Sequence, residues 1–302
     1  MSGMMEDCTL DTCPIEASIY QYRLSLAANA TFIALFSFSG LIHLVQAIVY
    51  LFRRPGDNSN ISSSSNINNN ITNHAYSYTL PILIGCAGEI IGYVGRVLIH
   101  IDPFDINGFL IQICCLTIAP AFYTAAIYFC IADIIRLFGE ETSRLAPAQY
   151  ARIFISCDLV SLILQGAGGG IASVATRGGR DGSTGTNIMI AGLAFQVFSL
   201  LVFITLLGEF VWRVRRGMGK WGNGTEKGPV RIPRSRLWVF SSFFSLAILC
   251  IFIRCAYRVA ELSEGWGGEL IREEGTFIGL EGVMIVVAVF ALNVSHPNIL
   301  SI

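Results

Sequence analysis

From Ile188 to Leu207 the chain carries only three polar side chains, Gln196, Ser199 and Thr205. A run of that kind crosses a hydrocarbon layer of about 30 Å as an α-helix rising about 1.5 Å per residue. Six further runs share the property. The seven spans fall at 26–52, 78–101, 109–137, 152–176, 187–211, 237–260 and 275–294. Inside lipid, backbone N–H and C=O groups must be satisfied within a helix or a closed barrel. Barrel strands need only about 9–11 residues. The lengths therefore predict an all-α fold, a polytopic membrane protein built as a seven-transmembrane-helix bundle. Composition agrees: 14% of the 302 residues are charged, against roughly 25% in a soluble domain. The net charge of −1 gives no basic balance that would suit nucleic acid.

Lys and Arg in the loops orient the bundle. One side holds Arg23, Arg177, Arg180 and Arg272. The other holds Arg53, Arg54, Arg136, Arg144, Arg152 and eight bases between 213 and 236. Four against thirteen predicts an outside N-terminus and a cytoplasmic C-terminus. Residues 1–25 are then an extracellular segment. Its acids Glu6, Asp7, Asp11 and Glu16 against one base, Arg23, do not match a cleaved signal peptide. The Asn/Ser-rich stretch 53–77 reads as a disordered cytoplasmic loop. The basic loop 212–236 either touches anionic inner-leaflet lipid or only fixes topology. On this orientation the glycosylation sequons at Asn60, Asn70 and Asn223 stay unmodified.

Seven of the nine cysteines (Cys86, Cys114, Cys115, Cys130, Cys157, Cys250, Cys255) lie in spans, where a thiol is a small apolar core residue. Cys8 and Cys13 lie in the outside segment, where oxidation is permitted. They pair with each other or with Cys114 or Cys115 at the outer end of span three. Connectivity is not readable from spacing. No Cys/His pair has zinc-ligand spacing, so no metal or other cofactor is expected.

Ionisable residues inside spans cost at least ~2.5–3.5 kcal/mol each at the helix centre and call for a partner, a cavity or a function. Span two has Glu89 and Arg96, seven apart and so on one face, with Gly92 between them. Span four has Asp158 and Gln165, with Ser161 between. Span six carries Arg254, Arg258 and Glu261 on one stripe, and span seven carries Glu281. These residues predict a polar cavity weighted to the outer leaflet. They either lock the bundle by mutual neutralisation or bind a headgroup and carry protons. Gly166 and Gly170 form a small-xxx-small pair suited to close helix packing. Pro120 removes a backbone donor from span three and is expected to kink it. The acidic stretch 261–274 around Trp266 reads as a solvated lip or as a collector of amines.

Together these residues resemble the fungal lipid-translocating exporter family, the RTA-like proteins. The matching stretches are Glu89-Ile-Ile-Gly-Tyr-Val-Gly-Arg96, Gln112 to Ala119-Pro120 and Tyr128, Asp158-Leu-Val-Ser161 with Gln165-Gly-Ala-Gly, and Gly192-Leu-Ala-Phe-Gln196. Arg254, Tyr257-Arg258, Glu261, Glu274, Glu281 and the closing Asn293-Val-Ser-His296-Pro297 complete the set. The family often has an Asp in an aromatic-rich part of span seven, where this chain has Phe277-Ile-Gly-Leu-Glu281-Gly. The resemblance implies seven spans, an outside N-terminus, the plasma membrane, and export or flipping of amphipathic lipids such as sphingoid bases. It also implies resistance to toxic drugs.

Three function classes follow. The first is a lipid or amphiphile exporter without its own ATPase, since no phosphate-loop motif is present. Its route would be lined by Glu89, Arg96, Asp158, Gln165, Arg254, Arg258, Glu261 and Glu281. The second is a seven-helix lipid receptor or sensor that signals through the 212–236 loop. The third, a membrane metal hydrolase, is suggested by Ser39 and His43 on span one. It lacks further histidines at ligand spacing, since only His74, His100 and His296 remain. The chain is thus read as a non-enzyme.

Overall fold

The computed structural model describes residues 13–18, 20–52, 64–138, 143–221, 234–264 and 268–296. Apolar length dictates its elements. The first six spans are single helices: α1 (Leu26–Phe52), α2 (Ser64–Ile101), α3 (Ile106–Phe138), α4 (Pro147–Arg177), α5 (Ser183–Trp221) and α6 (Arg234–Ser263). The seventh span, Glu274–Val294, is long and apolar enough to cross a membrane, as are stretches of the other six. No strand occurs among the described residues. The protein is an all-α, polytopic membrane protein.

Two boundaries differ from expectation. Residues 64–77, expected as part of a disordered loop, are helical and continue into α2. Once an apolar segment has formed its first turns, each added residue needs only propagation, not a new nucleus. Residues 53–63 of that loop lie outside the described ones. Likewise α5 runs to Trp221, so the start of the basic 212–236 loop is helix, on which the Arg216 guanidinium sits 3.6 Å over the Trp212 ring. Residues 222–233 are outside the described ones.

Each helix packs on its neighbour in the chain, and the seventh span packs on both α6 and α1, closing a ring. α3 also meets α6 across the ring. Phe36, Tyr93, Tyr123, Phe203, Ile251 and Leu292 fill the interior, while Phe38, Leu41, Ile163, Phe198 and Leu249 face outward. In a bilayer such outward residues meet acyl chains, so packing rather than water expulsion holds the helices together.

Close packing is set by missing side chains. On α2 a Cβ at Gly92 would lie 2.5 Å from Leu116 Cδ2, and one at Gly95 would lie 2.8 Å from the Gly108 carbonyl of α3. Both glycines let α2 and α3 approach closely. On α4 the expected pair Gly166 and Gly170 is not the packing pair: a Cβ at either would meet nothing. Gly168 is, because its Cβ would sit 2.5 Å from the Met189 backbone nitrogen of α5. Residues 166 and 170 are rotated away from α5, and spacing alone does not fix that rotation.

Candidate functional site

α6 presents Arg254 and Arg258 one turn apart, and both point into α3 and the seventh span. Arg254 Nη2 donates to Glu281 Oε1 at 2.6 Å and to the Leu116 carbonyl of α3. That carbonyl is the one that Pro120, lacking an N–H, leaves without its helical donor. Arg258 pairs with Glu261 on its own helix and reaches Thr117 Oγ1 at 3.3 Å; its Nε lies 4.0 Å from Glu281 Oε2. The four charged side chains are almost fully withdrawn from solvent.

Glu281 sits in a π-helical stretch, Phe277–Val283, within an otherwise α-helical span. Such wide turns inside helices are frequent at functional sites. Beside it, Gly282 brings its backbone against the Phe32 ring of α1, where a Cβ would clash.

Glu89 and Arg96, expected together on one face of α2, are both buried but go to different surroundings. Arg96 Nε donates to Asn29 Oδ1 of α1 at 3.0 Å, and its guanidinium lies 3.8 Å over the Phe277 ring and 5.7 Å from Tyr20. Cations held over aromatic faces gain ~2 kcal/mol when desolvated. Glu89 interacts electrostatically with Arg254, Arg258 and Glu281. Its Oε1 is buried with no hydrogen-bond partner among the described residues.

The α4 residues form a separate polar group. Asp158 Oδ2 accepts from Thr124 Oγ1 of α3 at 2.8 Å. Gln165 Nε2 donates to Ser161 Oγ and to Gln196 Oε1 of α5, at 2.6 and 3.0 Å, while Ser161 Oγ donates to the Gly192 carbonyl. Gln165 is thus part of a hydrogen-bonded seam between α4 and α5. The structure therefore brings Glu89, Arg254, Arg258, Glu261 and Glu281 together, sets Arg96 beside Phe277, and leaves Asp158 and Gln165 in seams of their own.

Several partners carry no sequence signal. Residues 20–25 of the N-terminal segment, read only as extracellular, pack over this end of the bundle. The Tyr20 hydroxyl donates to Gln112 Oε1 at 2.9 Å, the Ser25 N–H donates to Glu274 Oε1 at 2.6 Å, and Arg23 Nε donates to the His100 carbonyl. Burial pushes the Tyr22 hydroxyl up to about 12 from an ordinary 10, with Glu274 adding to the rise and Arg96 pulling against it. Three acids of the 261–274 lip, Glu261, Glu264 and Glu273, accept local hydrogen bonds, while Glu274 accepts from Ser25. Trp266 lies outside the described residues.

Cys114 and Cys115 are free thiols, as are the other five cysteines of the spans. This removes the alternative pairings of Cys8 or Cys13 with span three. Cys8 lies outside the described residues. No group of three or more metal-ligating side chains occurs among the described residues. His43 instead lies edge-on to Tyr78 and tilted against His296, with ring centroids 6.3 and 6.2 Å away.

A closed ring of seven spans, with α6 tied to the seventh span by a buried arginine–carboxylate pair and to α3 across the ring by arginine hydrogen bonds, defines a multi-pass membrane protein. The chain belongs to the RTA1-like family: the family model described as "RTA1 like protein" matches residues 82–301. Among its relatives is the Sphingoid long-chain base transporter RSB1 of Saccharomyces cerevisiae, 36% identical over 73% of this chain and 65% of that protein. The chain thus spans just under two thirds of that relative's length. Protein RTM1 of the same organism is 27% identical over 92% of this chain and 91% of its own length. Protoporphyrin uptake protein 1, also from S. cerevisiae, is 27% identical over 91% of each. No solved structure matches the chain.

Proposed function

We propose that the protein moves amphipathic lipids of the sphingoid-base type, or toxic amphiphiles, across the plasma membrane, without an ATPase of its own. The name of the 36%-identical relative supplies the substrate class. The observation that carries the reading is Glu89, a buried carboxylate whose Oε1 has no fixed partner among the described residues. A carboxylate left that way in a helix bundle is costly, and intramembrane ionisable groups of this kind mark substrate and proton paths. A long-chain base brings a cationic amine and hydroxyl donors, the groups that such a carboxylate accepts. Arg96, Arg254, Arg258, Glu261 and Glu281 line the outer part of the route, with Asp158 and Gln165 as polar steps on α4. The N-terminus lies outside and the C-terminus in the cytoplasm, with a Cys8–Cys13 disulfide tying the outer segment. Movement is facilitated or ion-coupled, with Glu89 or Glu281 as the proton carrier.

The test is efflux of a labelled sphingoid base from cells and from reconstituted vesicles, with and without a pH gradient. Glu89→Gln, at wild-type abundance in the membrane, is expected to lower efflux by about tenfold or more, the scale of one lost charge-assisted hydrogen bond. Wild-type efflux from that variant removes Glu89 from the mechanism. No transport by the wild type in vesicles, with a cytoplasmic partner crosslinked through 213–236, turns the reading to a receptor.

A further inference from the structure

A groove of about 650 Å³ opens between α1, α6 and the seventh span, within the size range of small-molecule sites, about 300–1,000 Å³. It lies at the opposite end of the bundle from the arginine cluster. Glu281 and Asn293 are twelve residues apart on the seventh span, about 18 Å. Its walls are apolar, built from Phe243 and Leu246 of α6 and Val287 and Phe290 of the seventh span, and among the described residues no Asp, Glu, Lys or Arg lines it.

One end of the groove is different. Gln46 Nε2 donates to the Asn293 carbonyl at 3.0 Å. A carbonyl only accepts, so this bond fixes which way the Gln46 amide points. Its Oε1 is left buried without a partner among the described residues. Asn293 Nδ2 donates to Ser39 Oγ at 2.5 Å, leaving Asn293 Oδ1 in the same condition. Asn293 is only 6% exposed. Buried acceptors are ordinarily satisfied. Two of them at the terminal end of an apolar trough ask for a hydrogen-bond donor that carries an apolar body.

Direction along the groove supports this. Asn293 is one residue from the end of its span, whereas Val287 lies six residues deeper, about 9 Å. The polar end therefore sits near the membrane surface and the apolar walls run inward, the profile of a single lipid chain entering from one leaflet.

We infer that this groove is a second ligand site, holding a single-chain lipid with its tail along Phe243, Leu246, Val287 and Phe290. A hydrogen-bond-donating head, hydroxyl or ammonium, meets Gln46 Oε1 and Asn293 Oδ1. A doubly ionised phosphate head, the form at pH 8, is only an acceptor and meets two acceptors there, so phosphate-headed lipids are rejected at that pH. The site is separate from Glu89 and does not require the transport reading.

The test uses the full chain in phosphatidylcholine nanodiscs with octadecylamine carrying a photoactivatable group on its tail. Label is expected in peptides containing 243–246 and 286–290. Excess octadecylamine and 1-octadecanol compete, and which competes better tells ammonium from hydroxyl recognition; octadecyl phosphate does not compete at pH 8. Gln46→Leu is expected to weaken binding about tenfold, a 1.4 kcal/mol change. Leu246→Trp, on the lipid-facing edge, and Val287→Trp fill the groove and abolish specific label, with melting temperatures near wild type marking intact folds. Glu89→Gln retains the label, which separates this site from the route proposed above. Unchanged labelling in both tryptophan variants, equal competition by octadecyl phosphate at pH 8, or a second copy of the chain crosslinked through a Leu246→Cys variant overturns the proposal.

Discussion

Arg254 on α6 occupies the gap that Pro120 opens in α3. The proline has no N–H, so the Leu116 carbonyl four residues earlier lacks its helical donor, and Arg254 Nη2 supplies one. A backbone defect in one helix and a charge on another thus satisfy each other inside the membrane.

Pro120→Ala restores an N–H that competes for the Leu116 carbonyl. Its effect should depend on residue 254. In a cycle with Arg254→Lys, the apparent unfolding free energies in detergent should be non-additive by about 0.5–3 kcal/mol, as for groups in one network. Additive effects would separate the proline from the arginine.

Arg254→Met leaves Glu281 without its 2.6 Å partner in an interior site. Breaking a buried pair on one side costs about 3–5 kcal/mol, whereas replacing both partners by apolar residues is often near neutral. Thermal unfolding should therefore show a large loss for Arg254→Met and substantial recovery for Arg254→Met with Glu281→Leu.

Glycine substitutions on α4 should separate sharply. Gly168→Ala drives a methyl into the α5 backbone and should cost about 1–3 kcal/mol. Gly166→Ala and Gly170→Ala meet open space and should be neutral or stabilising by up to about 1 kcal/mol, because alanine favours helix. Melting temperatures of the three purified variants decide this.

Acid should weaken the end of the bundle where the seventh span finishes. Burial holds His296 down to about 4, against an ordinary 6.5. Below 6.5 the unfolded chain binds a proton that the folded one refuses, so stability falls as pH drops from 6.5 to about 4 and is flat above that window. His296→Phe keeps an aromatic ring against Tyr78, 5.1 Å away in the native protein. Its melting temperature, compared with wild type between pH 8 and 4, should lack that share of the slope. An unchanged difference across the range would rule the histidine out.

The spans and the identity of the buried charges were readable from the residues. Crossing a membrane is a requirement on length and polarity, summed along one segment. A charged residue inside such a run is conspicuous by itself, so Glu89, Arg254, Arg258, Glu261 and Glu281 stood out. Their partners did not. The seven-residue spacing of Glu89 and Arg96 suggested one shared role, yet Arg96 is held by Asn29 and Phe277. Tyr20 and Gln112 lie 92 residues apart, and neither carries a pattern that announces the bond.

The sequence by itself determined seven crossings, an all-α bundle and which ionisable groups must be sheltered from lipid. Tertiary structure alone decided that Gly168 rather than Gly166 meets α5, that Arg254 completes the Pro120 gap, and that residues 20–25 pack over the arginine end. The reason is rotation. Entering the bilayer depends on each helix alone, but which side chains meet depends on how each helix is turned about its axis. That turn is set jointly by the two or three helices packed against it.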